Sequence, residues 1–501
     1  MISFSIKNLK KLLFFIIFSF LFSQPIFAKT TITWWAEANA DRDPVFVEKL
    51  QNVFNASQNE IELVMSFKEA LNDVLRTAMV AGTGPDIVET PGPSYVKEYQ
   101  EAGLLQSMEG YSKQYGWQDL LLPWSYSAGV FDGEFYSAPK TYETMIMLYN
   151  KTLFEENGWS IPTNLTEYES LAKTIQSKGM HVFSYGSTGW QPTHEHIGGM
   201  YLNSYAGPDN VYKALIGEKK WSDPEFVGAV ELLRKHMVDD GYWSGSLENY
   251  YALGWDDFHA QFANRGAAMM TIGTWTFQTT ENVFKDISDD WDWAPFPNLT
   301  AEGGDPSYLL ALGTTLSING KSDNPDAAAK IMDFVFKNKA IVLDMANDFN
   351  FGEFVVPLKF TESDFGDNVN PKVKRYLLTF AEETGKGNYG YTTWTFWPSD
   401  PGVHIWKDME VLWAGEITSQ EFMEDHEKLW KKARKDNATL FYLPDRQGPT
   451  KETLVRRFGA YTPYQLPLLN TVSLSARPTM EWVDGDKKSP VPLQTEHRRP
   501  N

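Results

Sequence analysis

The sequence predicts a two-lobed α/β fold, and three observations lead to this expectation. Strand-like and helix-like stretches alternate along the chain, which is typical of parallel sheets wound by right-handed crossovers. About 400 residues carry this pattern, more than a single hydrophobic core usually serves. The two patterned regions flank Ala138–Lys151, in which Pro139 precedes the apolar run Met145–Tyr149. We therefore expect the chain to cross between two lobes near Pro139.

The first 28 residues are predicted to be a secretory signal peptide. Lys7, Lys10 and Lys11 precede the apolar run Leu12–Phe22, and the segment ends at the small residue Ala28. The apolar run is too short to cross a bilayer as a helix. Cleavage near Ala28 would remove these three lysines and take the formal net charge from −20 to −23.

Composition excludes several classes of function. A chain this acidic repels phosphate backbones, which argues against nucleic acid as a partner. The sequence has no cysteine, so disulfides, thiolate metal sites and lipid attachment at an N-terminal cysteine are excluded. We expect a soluble, monomeric protein in an extracytoplasmic space.

The pattern before the crossing predicts three strands and two helices. The first helix should begin at Asp43-Pro44, where the aspartate is the N-cap and the proline is the first helical residue. The second should end at Gly82. The predicted strands are Thr31–Trp35, Ile61–Met65 and Pro85–Val88, and the second helix is Leu71–Met79.

Beyond the crossing the same alternation continues. Thr166 and Glu169 read as a capping box that opens a helix. Further strands are predicted at Met180–Tyr185, Ala267–Ile272 and Thr314–Ile318, and further helices at Phe226–Met237, Ala327–Phe336 and Met409–Ala433.

The predicted division of the chain follows from these elements. The unit Thr314–Phe336 resembles a return to the first sheet, and from Asn437 onward prolines interrupt every periodic pattern. The predicted parts are a signal peptide (1–28), a first lobe (29–139 plus 296–345), a second lobe (140–295 plus 346–436) and a poorly ordered tail (437–501).

Tryptophans follow several predicted strands. In open α/β sheets ligands collect at the carboxyl ends of strands, and indole rings there offer flat apolar platforms suited to the C–H faces of a sugar. Ordinary core packing is the alternative for each ring. The candidates at strand ends are Trp35, Trp190 and Trp275. Trp394 and Trp397, in the short segment Thr392–Asp400 (TTWTFWPSD), are two further candidates, and the sequence leaves open which of them faces a ligand.

Carboxylates and amides accompany these rings. Charged hydrogen bonds to a hydroxyl contribute roughly 1.5–3 kcal/mol each, so a few of them could anchor a saccharide. A surface acid or a plain salt bridge is the alternative for each. The candidates are Glu37, Asn39, Glu89, Glu143 and Gln191.

Two other acidic clusters give weaker signals. In His194-Glu195-His196 the imidazoles stand at i and i+2, a spacing that does not share a helix face, so no metal site is expected. Asp256-Asp257 could suggest a glycosidase, but adjacent carboxylates seldom flank a scissile bond, and a helix N-terminus explains them. We expect no cofactor and no enzymatic activity.

Six segments, taken in order, resemble one known family, the extracellular solute-binding proteins of carbohydrate ABC importers (the maltose-binding-protein-like class, family 1). The resemblance covers about Thr31 to Ala433. The segments are Ile32–Ala36 (ITWWA), Ala81–Glu89 (AGTGPDIVE), Glu101–Leu105 (EAGLL), Asp132–Pro139 (DGEFYSAP), Glu143–Trp159 (ETMIMLYNKTLFEENGW) and Arg265–Trp275 (RGAAMMTIGTW).

The resemblance implies a type II periplasmic-binding-protein fold, in which a hinge joins the lobes and a sugar lies between them. By position, Glu143 and Trp275 match ligand contacts of the family, and Trp35, Glu37 and Glu89 match approximately. Implied partners are a mono- or oligosaccharide and the permease subunits of an ABC importer. Because the chain lacks the anchoring cysteine of many Gram-positive relatives, a periplasmic location is expected. A secreted glycoside hydrolase, or a binder of a polyol or phosphate ester, is the alternative.

Overall fold

The computed structural model describes residues 29–40, 42–188, 193–348 and 354–435. The predicted signal peptide and the predicted tail lie outside these ranges, and so do Trp190 and Gln191. Within the described ranges, no helix is both long enough and apolar enough for a membrane span.

The predicted strands are all present, with differences at their ends, and the structure contains further strands that the sequence pattern did not predict. The strands are β1 (Thr30–Glu37), β2 (Ile61–Lys68), β3 (Ile87–Thr90), β4 (Leu105–Gln106), β5 (Val130–Phe131), β6 (Glu134–Phe135), β7 (Ala138–Glu143), β8 (Met145–Asn150), β9 (His181–Phe183), β10 (Ala267–Gly273), β11 (Trp291–Ala294), β12 (Tyr308–Asn319) and β13 (Tyr389–Tyr391).

Helices connect most of these strands and cover the sheets. They are α1 (Asp43–Val45), α2 (Asn52–Ser57), α3 (Leu71–Ala81), α4 (Pro93–Glu101), α5 (Glu109–Tyr115), α6 (Trp117–Leu120), α7 (Pro123–Ser127), α8 (Lys151–Asn157), α9 (Leu165–Ser177), α10 (Thr193–Ala206), α11 (Pro208–Ile216), α12 (Pro224–Arg234), α13 (Leu247–Ala252), α14 (Trp255–Ala263), α15 (Phe277–Phe284), α16 (Pro325–Lys337), α17 (Lys339–Asp348), α18 (Pro371–Gly385), α19 (Thr393–Phe396), α20 (Ser399–Lys407), α21 (Met409–Trp413) and α22 (Ser419–Lys435).

The first sheet has the order β13-β12-β3-β1-β2, and β4 and β7 also pair with β12. Strands β1, β2 and β3 are parallel, as predicted, but β12 runs antiparallel to β3. The prediction of a purely parallel sheet is therefore wrong for this strand. The reason is that β12 follows β11 of the other sheet without an intervening helix, and only parallel neighbours need a helical crossover.

The second sheet has the order β11-β8-β10-β9. Strand β8 pairs antiparallel with both β10 and β11, whereas β10 and β9 are parallel. Every residue of β10 is buried, as expected for a strand covered on both faces.

Strands β7 and β12 form a long antiparallel pair that links two hydrophobic cores. Ala138 of β7 and Leu316 of β12 pack in the core under the first sheet, while Tyr142 and Leu312 pack in the core around the second. The register of this pair shifts twice, once between Leu312 and Thr314 and once between Thr314 and Thr315. The chain then leaves β7 and enters the second sheet as β8 after Thr144 alone.

Two predicted helix starts differ from the structure. Asp43 is the first helical residue, preceded by Arg42, and Pro44 follows it. The cap of α9 is Asn164, whose side chain accepts from the Glu167 backbone N–H at 2.9 Å, so the predicted capping box at Thr166 is wrong. An amide side chain just before the helix satisfies its first N–H groups equally well.

The predicted helix Met409–Ala433 is two helices, α21 and α22. Gly415 between them has a φ of 76°, a left-handed conformation that ends a helix. Thr418 then opens α22 as a capping box, because its backbone N–H donates to Glu421 at 2.8 Å and its hydroxyl accepts from the Glu421 N–H at 3.2 Å. Asp256 and Asp257 lie in the first turn of α14, as expected.

Candidate functional site

A cavity of about 550 Å³ opens at the carboxyl ends of β1 and β3. Its lining combines charged groups with the aromatic ring of Phe46 and the half-exposed ring of Tyr95. The charged side chains that line it are Glu37, Arg42, Asp73, Glu89 and Lys140. We refer to it as the first cavity.

Among the described residues that line the first cavity, Glu89 forms the only buried ion pair. One carboxylate oxygen accepts from Lys140 Nζ at 2.8 Å, and the other accepts from Trp34 Nε1 at 3.0 Å. Glu89 and Lys140 are each only 3 % exposed, and the lysine also lies 4.9 Å from the ring centre of Phe46. A buried carboxylate is tolerated when it is paired and hydrogen-bonded in this way.

The other candidates near this cavity make local structural contacts. The Glu37 carboxylate accepts from the backbone N–H of Leu71 at 2.9 Å, which caps the start of α3. Asn39 accepts from the Arg42 backbone N–H at 3.2 Å and shapes the turn before α1. Trp35 is half-buried, and Lys68 Nζ lies 4.8 Å from the centre of its ring.

A second cavity, of about 430 Å³, lies where α4 faces α19 and α20. It shares the lining residues Asn72, Asp73 and Tyr95 with the first cavity, so the two cavities adjoin, and we refer to them together as the groove. Across this groove, the Ser94 hydroxyl donates to the backbone carbonyl of Trp394 at 3.2 Å.

Three aromatic rings meet at the second cavity's end of the groove. The ring centroid of His196 lies 5.0 Å from that of Trp275 and 4.9 Å from that of Trp394. The two indoles meet edge to face at 5.9 Å, a favourable arrangement for aromatic pairs. Both indoles are half-buried, and Trp394 borders the second cavity. Part of this apolar surface thus faces the groove.

Trp397 has a different environment, although it also borders the second cavity. It is 2 % exposed, and its Nε1 donates to His426 Nε2 at 3.2 Å. Its ring packs against Trp221 and Trp430 at centroid distances of 5.1 and 5.9 Å. Of the two tryptophans on this segment, Trp394 therefore offers accessible ring surface and Trp397 is built into the core.

Glu143 ends β7 at the point where the chain passes between the sheets, and it is 8 % exposed. Its carboxylate lies so close to Gly313 that a Cβ there would stand 2.8 Å from it, which explains a glycine in the middle of β12. The next residue, Thr144, accepts at its carbonyl from the Thr274 backbone N–H at 3.1 Å. The structure thereby brings Glu143 into the neighbourhood of Trp275.

Glu195 is a groove residue that the sequence suggested only as part of a metal pattern. It lies on α10, is 6 % exposed and borders the second cavity. Burial raises the pKa of Glu195 to about 7, and the Thr393 hydroxyl opposes this shift. The two imidazoles beside it have separate partners, since His194 Nδ1 contacts the Trp406 carbonyl at 3.0 Å and His196 Nδ1 contacts the Tyr185 hydroxyl at 2.8 Å.

One other group in the described ranges could in principle hold a metal, formed by Glu169, His236 and Asp240. Lys235 Nζ bridges its two carboxylates, at 2.9 Å from Glu169 and 2.8 Å from Asp240. Burial lowers the pKa of His236 to about 4, although Glu169 opposes this. The ammonium group of Lys235 thus already balances the two carboxylates that a metal ion would need as ligands.

The structure therefore groups the predicted residues in two places. Glu37 and Glu89 border the first cavity, Trp394 and Trp397 border the second, and Trp275 contacts Trp394. Sequence reasoning missed Lys140, Tyr95 and Glu195. Lys140 lies within the crossing stretch and Tyr95 follows β3, so their position beside predicted strand ends was a usable signal.

A family model described as bacterial extracellular solute-binding protein matches residues 28–341. Among curated proteins, the chain is 23 % identical over 314 residues to the multiple sugar-binding protein of Streptococcus mutans serotype c, covering 59 % of this chain and 69 % of the relative. It is 24 % identical over 336 residues to the maltotriose-binding protein of Pyrococcus abyssi, covering 63 % and 65 %. The chain thus matches about two thirds of each relative's length.

Solved structures of similar fold include a chitin oligosaccharide binding protein, with a TM-score of 0.67 and 19 % identity over 81 % of this chain and 99 % of that one. A second is RafE in complex with raffinose, with a TM-score of 0.62 and 18 % identity over 81 % and 99 %. At these identities the likeness shows the fold, which is the two-lobed fold of solute-binding proteins.

Proposed function

Because the chain belongs to the family of bacterial extracellular solute-binding proteins, we propose that it binds a sugar or oligosaccharide in the groove and delivers it to an ABC importer. The observation that carries this proposal is the groove formed by the two adjoining cavities. Polar side chains lie at its first end and indole rings at its second, and a sugar presents both hydroxyl groups and apolar ring faces. The similarity to a multiple sugar-binding protein and to a maltotriose-binding protein supports the same ligand class.

Within this proposal, Glu143 and Trp275 act on different aspects of one ligand. Glu143 accepts hydrogen bonds from hydroxyl groups near the hinge, and Trp275, together with Trp394, supplies the apolar platform. Trp35, Glu37 and Asn39 belong to the polar end of the site, and Glu89, bound to Lys140 and Trp34, supports that end from within the fold. Trp190 and Gln191, which precede α10, are proposed as further contacts, and Trp397 supports Trp394 from the core.

The protein is proposed to consist of the two predicted lobes, joined by a hinge. The first lobe comprises residues 29–139 plus 296–345, and the second comprises residues 140–295 plus 346–436. Hinge closure around the ligand is known for periplasmic binding proteins as a class. The mature protein is proposed to act as a periplasmic monomer that contacts the permease subunits of the importer. Nucleic acid and cofactors have no part in this function.

A thermal-shift screen of the purified mature protein against mono- and oligosaccharides tests the proposal. A ligand at one hundred times its dissociation constant should raise the unfolding free energy by about 2.7 kcal/mol. Stabilisation by at least one neutral or charged saccharide is the expected result, and no response to any of them would contradict it.

The same incubations distinguish binding from hydrolysis. Each saccharide that stabilises the protein is recovered afterwards and assayed for new reducing ends. We expect the saccharide to be unchanged. Release of reducing ends would instead favour a secreted glycoside hydrolase.

A further inference from the structure

Glu195 is a buried carboxyl group at the second cavity that the proposed sugar contacts do not use. It is 6 % exposed, and within the described ranges no lysine, arginine or histidine forms an ion pair with it. An ionised carboxylate in this position costs free energy unless a positive partner compensates it. Among the described residues, no basic side chain therefore compensates the charge of this carboxylate when it is ionised.

The cations that border the second cavity are engaged elsewhere. Lys97 Nζ lies 2.6 Å from the Glu101 carboxylate, and Arg76 lies 3.5 Å from that of Glu98. Asp73 of α3 adds a further acid to the lining. None of these side chains supplies the missing counter-charge to Glu195.

The histidines on the same helix are also unsuited to that role. Burial lowers the pKa of His194 to about 4, with an opposing contribution from the Trp406 carbonyl. Burial, together with the neighbouring His194, lowers the pKa of His196 to about 3. Both imidazoles are therefore neutral near pH 7.

Aromatic rings border the same cavity as Glu195. Tyr95, on α4, is 48 % exposed, and burial together with the nearby Glu195 and Glu98 carboxylates raises its pKa. Trp394 borders the cavity from α19. Ring faces attract an ammonium group through their quadrupole, and this attraction adds to that of a carboxylate.

We propose that the second cavity binds the primary ammonium group of an amino sugar, with Glu195 as its counter-ion and with Tyr95 and Trp394 as aromatic walls. This inference rests on the proposed sugar-binding function and narrows its ligand class. The Thr393 hydroxyl favours the ionised form of Glu195, against the larger effect of burial, which raises the pKa.

Matched ligands provide the first test. Glucose, glucosamine and N-acetylglucosamine, and the β-1,4 disaccharides of each, differ only at carbon 2 of each ring, which bears a hydroxyl, an amine that is protonated to an ammonium, or a neutral amide. Thermal shifts are measured for all six at pH 7.5, and affinities are then measured by calorimetry. The amino member of a set is expected to bind roughly 10- to 100-fold more tightly than its neutral counterparts.

Variants provide the second test. Glu195→Gln keeps size and removes the charge, so it should remove that preference. Glu98→Gln is the matched control, because Glu98 borders the same cavity but its side chain is 63 % exposed. The ratio of wild-type to Glu195→Gln affinity for the amino sugar should increase from pH 5.5 to pH 7.5, as the carboxyl group ionises. Because the amine of the ligand titrates identically in both measurements, its contribution cancels in this ratio, and the ratio reports the ionisation of Glu195.

The outcomes separate the inference from the function on which it rests. If neutral saccharides bind and their amino counterparts bind no better, the inference is wrong and the proposed function stands. If Glu98→Gln abolishes the preference as strongly as Glu195→Gln, general electrostatics explains it and the inference is also wrong. If spermidine stabilises the protein and no saccharide does, both the inference and the sugar-binding function are contradicted.

Discussion

Glu89 in the first cavity and Glu195 in the second are both buried carboxyl groups, but their surroundings differ. Glu89 accepts from Lys140 and Trp34, so its hydrogen-bonding capacity is used within the protein. Glu195 has no such cation in the part of the chain that the structure describes, and burial raises its pKa to about 7. The comparison indicates that the first carboxylate maintains the fold and that the second is available to a ligand.

The two tryptophans of the segment 394–397 repeat the same contrast. Trp397 is enclosed by Trp221, Trp430 and His426, whereas Trp394 is half-buried beside the groove. Membership of this short aromatic segment therefore does not by itself identify a ligand contact. What distinguishes the two roles is whether the protein already satisfies the side chain.

The largest expected effect concerns the ion pair of the first cavity. Lys140→Met leaves Glu89 buried without its cation and should lower the free energy of unfolding by roughly 3–5 kcal/mol. Urea denaturation measures this loss. The control is Lys113→Met, which removes an exposed pair with Glu109 and should cost about 0–1 kcal/mol. Equal losses in the two variants would show that the Glu89 pair has no special structural role.

The next effect concerns the pH dependence of stability at Glu195. Its folded pKa of about 7 exceeds the ordinary value of 4.5, so the folded state binds more protons between these pH values and stability decreases as pH rises through this window. Glu195→Gln removes that loss. Relative to the wild type, the variant should be more stable at pH 8 than at pH 5 by roughly 2–4 kcal/mol.

Thermal and urea unfolding of both proteins at the two pH values measure this difference, and Glu98→Gln again serves as the control. A constant difference between wild type and Glu195→Gln at pH 5 and pH 8 would mean that Glu195 titrates normally, and the contrast with Glu89 would then disappear.

A smaller effect is expected for Glu143→Gln, which keeps the size of the side chain and removes its charge. If this carboxylate accepts ligand hydroxyl groups, affinity for the saccharide should weaken by roughly 1.5–3 kcal/mol. Calorimetry measures the affinity, and the melting temperature without ligand should change little. Unchanged affinity together with a large drop in melting temperature would assign Glu143 to the hinge structure alone.

Much of the fold could be predicted because its strands and helices have distinct periods. The buried strand β10 and the cap at Gly82 follow from local sequence. The direction of β12 could not, because it depends on how that strand returns from the second sheet. The break at Gly415 was missed because a single glycine does not reveal its φ, although the Thr418 capping box was visible in the sequence.

The site was predictable only in part, because its contacts join distant segments. Glu89 and Lys140 are 51 residues apart, and no local pattern signals that they pair. Trp394 and Trp397 differ by less than one helical turn, so only the packing of α22 shows which ring is enclosed. Glu195 becomes a groove residue because α19, about 200 residues later, packs beside it.

Parallel measurement of saccharide affinity and unfolding free energy for Trp394→Ala and Trp397→Ala tests the central claim most directly. The saccharide is the one found in the thermal-shift screen. Trp394→Ala should weaken binding by about 1–2 kcal/mol with little change in stability, whereas Trp397→Ala should lower stability by roughly 3–5 kcal/mol. If Trp394→Ala leaves the affinity unchanged, the ring beside the groove does not bind the ligand and the account is contradicted.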